Sequence, residues 1–250
     1  MVNYIEIYRK YRTAMAYIEV QNPDSTIGIG SAFHIGEGVF VTARHVVYDN
    51  KILKMARTEQ NWDEEESIEI IEKPLFHPNS DIDVAIIRTA NFDLPFIEIG
   101  GHLDDWINKS FILSKVVVMG YPPIPLSKEP ALVTTVAEIN GIIDTYIGSN
   151  HPQFILSSMA RGGFSGGVAL LNDGSALGVI TESLVSNDKP AELGYFSVLT
   201  IEPILSCLAH NKAMPKRIND FWRIEGFEKT IWDFPDDPFK YLSTKIKHME

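Results

Sequence analysis

Short runs of apolar and β-branched residues, each followed by a turn signal, make up most of this chain of 250 residues. Helical periodicity is confined to a weak stretch at 5–15 and a short one at 201–208. Because amphipathic helices do not alternate with the strands, a doubly wound parallel sheet is disfavoured. The pattern predicts an all-β fold of short antiparallel strands. The predicted strands are 27–35, 39–42, 84–88, 116–119, 132–139, 154–157, 168–171, 176–181 and 195–199.

Composition narrows the class of protein. Hydrophobic residues are 45% and charged residues 22%, which is typical of a globular chain. The single cysteine, Cys207, cannot form an internal disulfide, and no Cys/His cluster has zinc spacing, so no metal or cofactor is predicted. A net charge of −11 disfavours nucleic acid and anionic membranes as partners. Neither a signal peptide nor a membrane-spanning apolar run is found, so a cytoplasmic location is expected.

Polar residues interrupt two of the predicted strands. His45 follows the strand at 39–42, where a neutral imidazole can accept a proton near neutral pH. Asp81 and Asp83 open the apolar strand at 84–88, where a carboxylate needs a donor such as an imidazole N–H. Taken singly, each of these residues also fits an ordinary surface or capping role.

A glycine-rich segment surrounds Ser165, with the sequence Arg-Gly-Gly-Phe-Ser-Gly-Gly from 161 to 167. Glycines allow backbone conformations in which two amide N–H groups converge while a hydroxyl stays exposed, as an oxyanion hole requires. The bulky ring of Phe164 must then be packed elsewhere. An ordinary glycine-rich turn between two strands is the alternative interpretation.

The order His45, Asp83, Ser165 on a β-rich chain resembles the trypsin-like (chymotrypsin-fold) serine peptidases. In motif style it is closest to the Deg/HtrA-type bacterial protease domain, without a PDZ domain. The resemblance covers roughly residues 14–205. The matching segments are Gly28-Ile29-Gly30-Ser31-Ala32-Phe33, Val41-Thr42-Ala43-Arg44-His45, Asp83-Val84-Ala85-Ile86-Ile87, Gly120-Tyr121-Pro122 and Gly163-Phe164-Ser165-Gly166-Gly167.

The resemblance implies two packed antiparallel six-stranded β-barrels with a site between them. The expected units are 1–105, with the N-terminal segment and first barrel, and 106–211, with the second barrel and a short helix, followed by an aromatic-rich extension at 212–250. The resemblance implies that Ser165 is the nucleophile, His45 the general base and Asp83 the orienting carboxylate. It also implies that the amides of Gly163 and Ser165 form the oxyanion hole. Asp81 is the alternative acid, but only Asp83 fits the Asp-x-Ala frame of the family.

The resemblance also implies a substrate pocket, with Met159 at its base and Thr181, Glu182, Ser183 and Gly194 along its walls. With no carboxylate at the base, a basic side chain would lose its hydration without compensation, so cleavage after small to medium apolar residues is expected. Met159 fits a role as core filler equally well.

An acidic segment and an aromatic-rich segment are also interpreted from the sequence. The acidic run at 63–66 is interpreted as a solvated face rather than a calcium site. The extension at 212–250 is rich in Phe and Trp, which predicts a segment folded back onto the barrels or a docking surface for a protein partner or for self-association.

The expected function is a serine endopeptidase that acts on polypeptides. One alternative is a catalytically silent or partner-regulated binding module of the same fold. A second is an α/β-hydrolase esterase, because residues 163–167 also satisfy G-x-S-x-G, but that fold needs a helix directly after the serine.

Overall fold

The structure, a computed structural model, describes residues 3–58, 65–90, 93–99, 111–143, 151–159, 162–181, 184 and 195–221. Its strands are β1 (Met15–Gln21), β2 (Ile27–Gly36), β3 (Val39–Thr42), β4 (Lys51–Thr58), β5 (Glu65–Ser67), β6 (Leu75–Phe76), β7 (Ala85–Arg88), β8 (Lys115–Gly120), β9 (Val133–Ile143), β10 (Gln153–Met159), β11 (Val168–Leu170), β12 (Ala176–Ile180) and β13 (Tyr195–Thr200). Its helices are α1 (Tyr4–Tyr11), α2 (Arg44–Val47), α3 (Glu202–His210) and α4 (Lys216–Phe221), with a 3₁₀ turn at Arg12–Ala14. The all-β class predicted from the sequence is confirmed.

The first half of the chain forms one antiparallel sheet in the order β5-β4-β1-β2-β3-β7-β6. Within the described residues this half therefore holds seven strands rather than the six expected of the first barrel. The two shortest strands, β5 with three residues and β6 with two, lie at the two ends of the strand order.

The second half forms a closed antiparallel barrel in the order β10-β13-β12-β11-β8-β9, as predicted. Its side chains alternate as the two-residue period of a strand requires. In β8, Val116 and Val118 belong to the cluster that fills the barrel, whereas Val117 and Met119 point to the other face. The barrel strands are therefore buried on both faces.

A shared apolar layer joins the sheet, the barrel and the helices. It contains Phe33 and Ile86 from the sheet, Val117 and Leu170 from the barrel and Leu205 from α3, all at most 2% exposed. Burial of such side chains contributes roughly 1.5–3 kcal/mol each. The two halves are thus held against each other by a continuous core that α3 completes.

The start of the C-terminal extension folds back onto this core. Ala213 and Ile218 are buried in the shared layer, and Arg217 forms an ion pair with Glu98. This agrees with the folded-back interpretation for residues 212–221, whereas residues 222–250, with most of the aromatic side chains, lie outside the described residues. In the described part of the chain, no helix is both long and apolar enough to cross a membrane.

Candidate active site

The pairing of β3 with β7 brings His45 and Asp83 together. Thr42, the last residue of β3, pairs with Ala85, the first residue of β7, so the two segments that continue beyond this pair leave the sheet side by side. His45 lies in α2 on one segment, and Asp83 precedes β7 on the other. Two residues that are 38 positions apart in the chain become neighbours in this way.

Asp83 holds His45 at two points. The backbone N–H of His45 donates to Asp83 Oδ1 over 2.9 Å, and Nδ1 of the imidazole lies 2.8 Å from Asp83 Oδ2. A carboxylate accepts at Oδ2, so the proton between them is on Nδ1 and Nε2 carries the lone pair of the neutral ring. The side chains are 36% and 23% exposed respectively, so the imidazole is accessible from solvent.

Asp81, the alternative acid, occupies a different environment. It is exposed, and its backbone N–H donates to the side-chain oxygen of Asn79 over 3.0 Å. The structure therefore places the carboxylate of Asp83, and not that of Asp81, on the imidazole of His45.

The loop that carries Ser165 joins β10 to β11 and is fastened to the first sheet by Ser31. The Ser31 hydroxyl donates to the carbonyl oxygen of Gly163 over 2.6 Å, and its backbone N–H donates to that of Ser165 over 2.8 Å. The Ser31 hydroxyl in turn accepts from the amide of Tyr121 at 2.8 Å. The first sheet, through Ser31 in β2, thus holds the serine loop on both sides of Phe164.

The loop conformation depends on two glycines with left-handed backbone angles, Gly163 at φ +85° and Gly166 at φ +82°. Between them the ring of Phe164 is 4% exposed and packs edge-on against Phe196, with centroids 5.6 Å apart. The barrel interior therefore accommodates the bulky ring. The amides of Gly163 and Ser165 donate no hydrogen bond to another described residue.

Gly166 brings the serine loop close to His45. A Cβ placed on Gly166 would lie 3.0 Å from the backbone nitrogen of Ala43, two residues before His45. On the other side, the Gly166 amide donates to the Ile180 carbonyl in β12 over 2.8 Å. Ser165 therefore lies in the region where the sheet and the barrel meet, beside the segment that carries the imidazole.

Two of the predicted pocket residues, Met159 and Thr181, lie where strands β10 and β12 of the barrel end. Met159 ends β10 and pairs with Tyr195 at the start of β13, and Thr181, which is buried, directly follows β12. The backbone N–H of Ile180, the last residue of β12, donates to the carbonyl oxygen of Gly167 in the serine loop. The end of β12 therefore lies near Ser165. The other predicted pocket residues, Glu182, Ser183 and Gly194, and the side chain of Met159 lie outside what the structure describes.

The acidic run at 63–66 is only partly described. Glu66 in β5 forms an ion pair with Arg57 in β4. Among the residues that the structure describes, no group of three His, Cys, Asp or Glu side chains is placed to hold a metal ion.

Ser31 was not identified as a site residue from the sequence, although its segment belongs to the matched motifs. It is fully buried within β2, and Thr42 donates to its carbonyl oxygen over 2.7 Å. A hydroxyl in a buried strand must find partners, so its position was the available signal. The two partners of the hydroxyl, Gly163 and Tyr121, are however 132 and 90 residues away in the chain.

Replacing Gly166 by Ala is expected to disrupt the serine loop. The new Cβ would overlap the carbonyl oxygen of Ser31 and the hydroxyl of Thr42, and an L side chain at φ +82° is strained by about 1–2 kcal/mol even without overlap. The free energy of unfolding should fall by at least about 2 kcal/mol. Urea denaturation measures the change.

Gly162→Ala is the matched control, because a Cβ at that position meets nothing within 4 Å. Its unfolding free energy should stay within about 0.5 kcal/mol of wild type. Equal denaturation midpoints for Gly166→Ala and wild type would contradict the described loop.

Comparison with known proteins agrees with the fold. The family model of the trypsin-like peptidase domain matches residues 30–179, which is more than half of the chain. Comparison with curated protein sequences finds no significant match. The chain therefore belongs to the trypsin-like peptidase family.

Solved structures with a similar fold include three proteases. The Rv3671c protease from M. tuberculosis in its active form has a TM-score of 0.60 and 20% identity, over 81% of this chain and 82% of that one. The HtrA-type protease AlgW with a tripeptide has a TM-score of 0.60 and 15% identity, over 81% and 61%. A serine endoprotease from Yersinia pestis has a TM-score of 0.57 and 18% identity, over 88% and 68%. At these identities the likeness is one of fold, and the chain spans less than two thirds of the AlgW protease.

Proposed function

We propose that this protein is a serine endopeptidase that hydrolyses peptide bonds with Ser165 as nucleophile, His45 as general base and Asp83 as orienting carboxylate. The observation that carries the proposal is the two-point contact between Asp83 and His45, which directs Nε2 of the imidazole away from the carboxylate. The closeness of the serine loop to Ala43 supports the role of Ser165.

In the proposed reaction, Ser165 Oγ attacks the carbonyl carbon of the substrate while His45 Nε2 takes the hydroxyl proton. The imidazolium then gives this proton to the leaving amine, and an acyl-enzyme ester remains on Ser165. Water, deprotonated by the same imidazole, hydrolyses the ester and regenerates the hydroxyl. Asp83 stabilises the imidazolium and holds the tautomer in which Nε2 can accept.

The negative charge that develops on the substrate oxygen needs donors. The amides of Gly163 and Ser165 are proposed for this role, because neither donates to another described residue. An oxyanion donor of this kind contributes roughly 3 kcal/mol to the stability of the transition state.

The proposed substrates are polypeptides with a small to medium apolar residue before the cleaved bond. Met159 and Thr181, with Glu182, Ser183 and Gly194, are proposed to line the pocket, and no carboxylate is expected at its base to receive a basic residue. A cytoplasmic location, and a docking role for residues 212–250, likewise remain proposals.

The fold excludes one of the two alternative functions, and an experiment is needed to test the other. The α/β-hydrolase interpretation is wrong, because Ser165 is followed by strand β11 in an antiparallel barrel rather than by a helix. A silent binding module of the same fold makes a different experimental prediction, which the labelling experiment tests.

Labelling with a fluorophosphonate tests the proposal. This reagent modifies an activated serine, so wild-type protein should be labelled on Ser165, as located by mass spectrometry of the peptides. Ser165→Ala should not be labelled. Ser175→Ala, which removes a hydroxyl that bonds Asp173 in a turn of the barrel, should be labelled like wild type. A folded wild-type protein that resists labelling under all conditions would favour the binding module.

A further inference from the structure

A second histidine and serine pair lies away from Ser165 and has no role in the proposed reaction. His77 follows β6 and is 8% exposed, and its Nε2 lies 2.8 Å from the hydroxyl oxygen of Ser206 in α3. This contact joins two segments that are 129 residues apart in the chain. The segment that begins at His77 is the one that leads to Asp83.

The hydrogen bonds around His77 indicate which nitrogen of its neutral ring carries the proton. Nδ1 lies 3.1 Å from the backbone nitrogen of Asn79 and 3.3 Å from the carbonyl oxygen of the same residue. The shorter contact is with the N–H donor, which assigns the lone pair to Nδ1 and the proton to Nε2. Nε2 therefore donates to Ser206, whose own hydroxyl donates to the carbonyl oxygen of Pro203 over 3.1 Å. Ser206 thus has no base to accept its proton, and the pair is not a second nucleophilic centre.

His77 remains neutral over the pH range in which a serine protease works. Burial lowers the pKa of His77 to about 4, against the hydrogen bond that a protonated Nδ1 would donate to the carbonyl oxygen of Asn79, and the nearby His151, His210 and Arg44 add to the lowering. A neutral ring is what this arrangement needs, because protonation of Nδ1 would remove the acceptor for the Asn79 amide.

The segment from His77 to Asp83 is held at its far end by Ile82, which is buried in the shared core beside Asp83. It contains no helix or strand, and its internal bonds are those of short turns, such as the Ile82 amide to the Asn79 carbonyl at 3.2 Å. At its far end, β7 fixes Asp83 through the pairing with β3. At its near end, the side chain of His77 contacts α3 through Ser206.

Two further contacts hold the same end. The side-chain amide of Asn211, at the end of α3, donates to the carbonyl oxygen of Phe76 over 2.9 Å. Arg44, the neighbour of His45 in α2, stacks over the Phe76 ring with its guanidinium carbon 4.7 Å from the centroid. Helix α2, which carries His45, therefore contacts Phe76, the residue directly before the segment that leads to Asp83. The same residue is bonded to the end of α3 through Asn211.

We propose that His77 and Ser206 form a positioning clamp through which helix α3 holds the carboxylate of Asp83 on the imidazole of His45. His77 and Ser206 are positioning residues, because they act on the reaction through Asp83. The inference deepens the proposed function and rests on it.

Removal of the Ser206 hydroxyl is expected to lower kcat with little change in KM. In Ser206→Ala the turn loses the hydrogen bond between His77 and α3, and misplacement of a catalytic group by about 1 Å costs up to about 100-fold in rate. We expect kcat to fall by about 10- to 100-fold on a peptide p-nitroanilide with Ala or Val before the cleaved bond, and the rate of fluorophosphonate labelling to fall in parallel. Ser206→Thr, which keeps the hydroxyl, should restore most of the rate.

A double-mutant comparison separates positioning from general loss of structure. If the clamp acts through Asp83, Ser206→Ala should have almost no effect on the labelling rate when Asp83 is already Asn. A loss of structure would instead slow labelling by the same factor in both backgrounds. Ser175→Ala, which removes a comparable hydroxyl bond far from the site, should change neither rate.

The possible results decide the question. Unchanged kcat in folded Ser206→Ala, or an equal loss in the Asp83→Asn background, would overturn the clamp while leaving the proposed function intact. Absence of labelling in wild type would instead overturn the proposed function. If Ser206→Ala does not fold, as judged by circular dichroism, Asn211→Ala removes the bond to Phe76, together with the bonds to Cys207 within α3, and keeps His77 and Ser206. It should give a smaller loss of kcat that also vanishes in the Asp83→Asn background.

Discussion

Ser165→Ala should lower kcat for peptide hydrolysis by about 10⁶-fold, because the hydroxyl is the only proposed group that forms the covalent intermediate. His45→Ala should cause a loss of similar size, since the serine is not deprotonated without the base. Because the two groups act as a unit, the double variant should be scarcely slower than either single one. Hydrolysis of the peptide p-nitroanilide measures all three rates.

The same substitutions should leave the fold intact. Ser165 is half-buried and His45 is exposed, so neither fills the core, and the unfolding free energy should change by no more than about 1 kcal/mol. Urea denaturation of each variant serves as the control. Undiminished hydrolysis by purified Ser165→Ala would show that another group is the nucleophile and would end the proposed mechanism.

Asp83→Asn should lower kcat by about 10⁴-fold without loss of folded protein. An Asn oxygen still accepts from the backbone N–H of His45, but its NH₂ group now donates to Nδ1 of the imidazole. The proton of the neutral ring then lies on Nε2, which can no longer accept from Ser165. The size of the effect thus depends on the tautomer and not on the position of the ring.

Asp81→Asn is the matched control for this experiment. The residue lies two positions away, is exposed and contacts Asn79 through its backbone, so the rate should stay within about twofold of wild type. The pair of variants is measured with the same p-nitroanilide and at saturating substrate. Full activity in Asp83→Asn together with a large loss in Asp81→Asn would reverse the assignment of the acid.

The strands that were predicted correctly are those with a strong local pattern. The runs at 39–42, 116–119 and 195–199 are rich in Val and aromatic residues and are bounded by turn residues, so neighbouring residues alone indicate their structure. β1 was missed because it directly follows the turn after α1, and the weak helical period of 5–15 extends to its first residue. β4 was missed because Lys51, Lys54 and Arg57 mask its apolar positions.

Pairing with strands that are distant in the chain stabilises β1, which the local sequence pattern does not predict. β1 lies between β2 and β4, so its backbone hydrogen bonds are satisfied on both sides by residues far along the chain. These contacts outweigh local propensity, which is worth only tenths of a kcal/mol per residue. The strand order of the first sheet could not be read from the sequence for the same reason.

The strand pattern alone was enough to predict an all-β fold of short antiparallel strands, and the order of an imidazole, a carboxylate and a glycine-flanked hydroxyl was enough to show a resemblance to the trypsin-like peptidases. That resemblance implied the closed second barrel and the three residues proposed for catalysis. Only the tertiary structure decided which aspartate meets His45, that Ser31 fastens the serine loop, and that His77 joins α3 to the turn before Asp83. Each of these contacts joins residues at least 38 positions apart, and such a contact forms only when the sheet, the barrel and α3 have packed together.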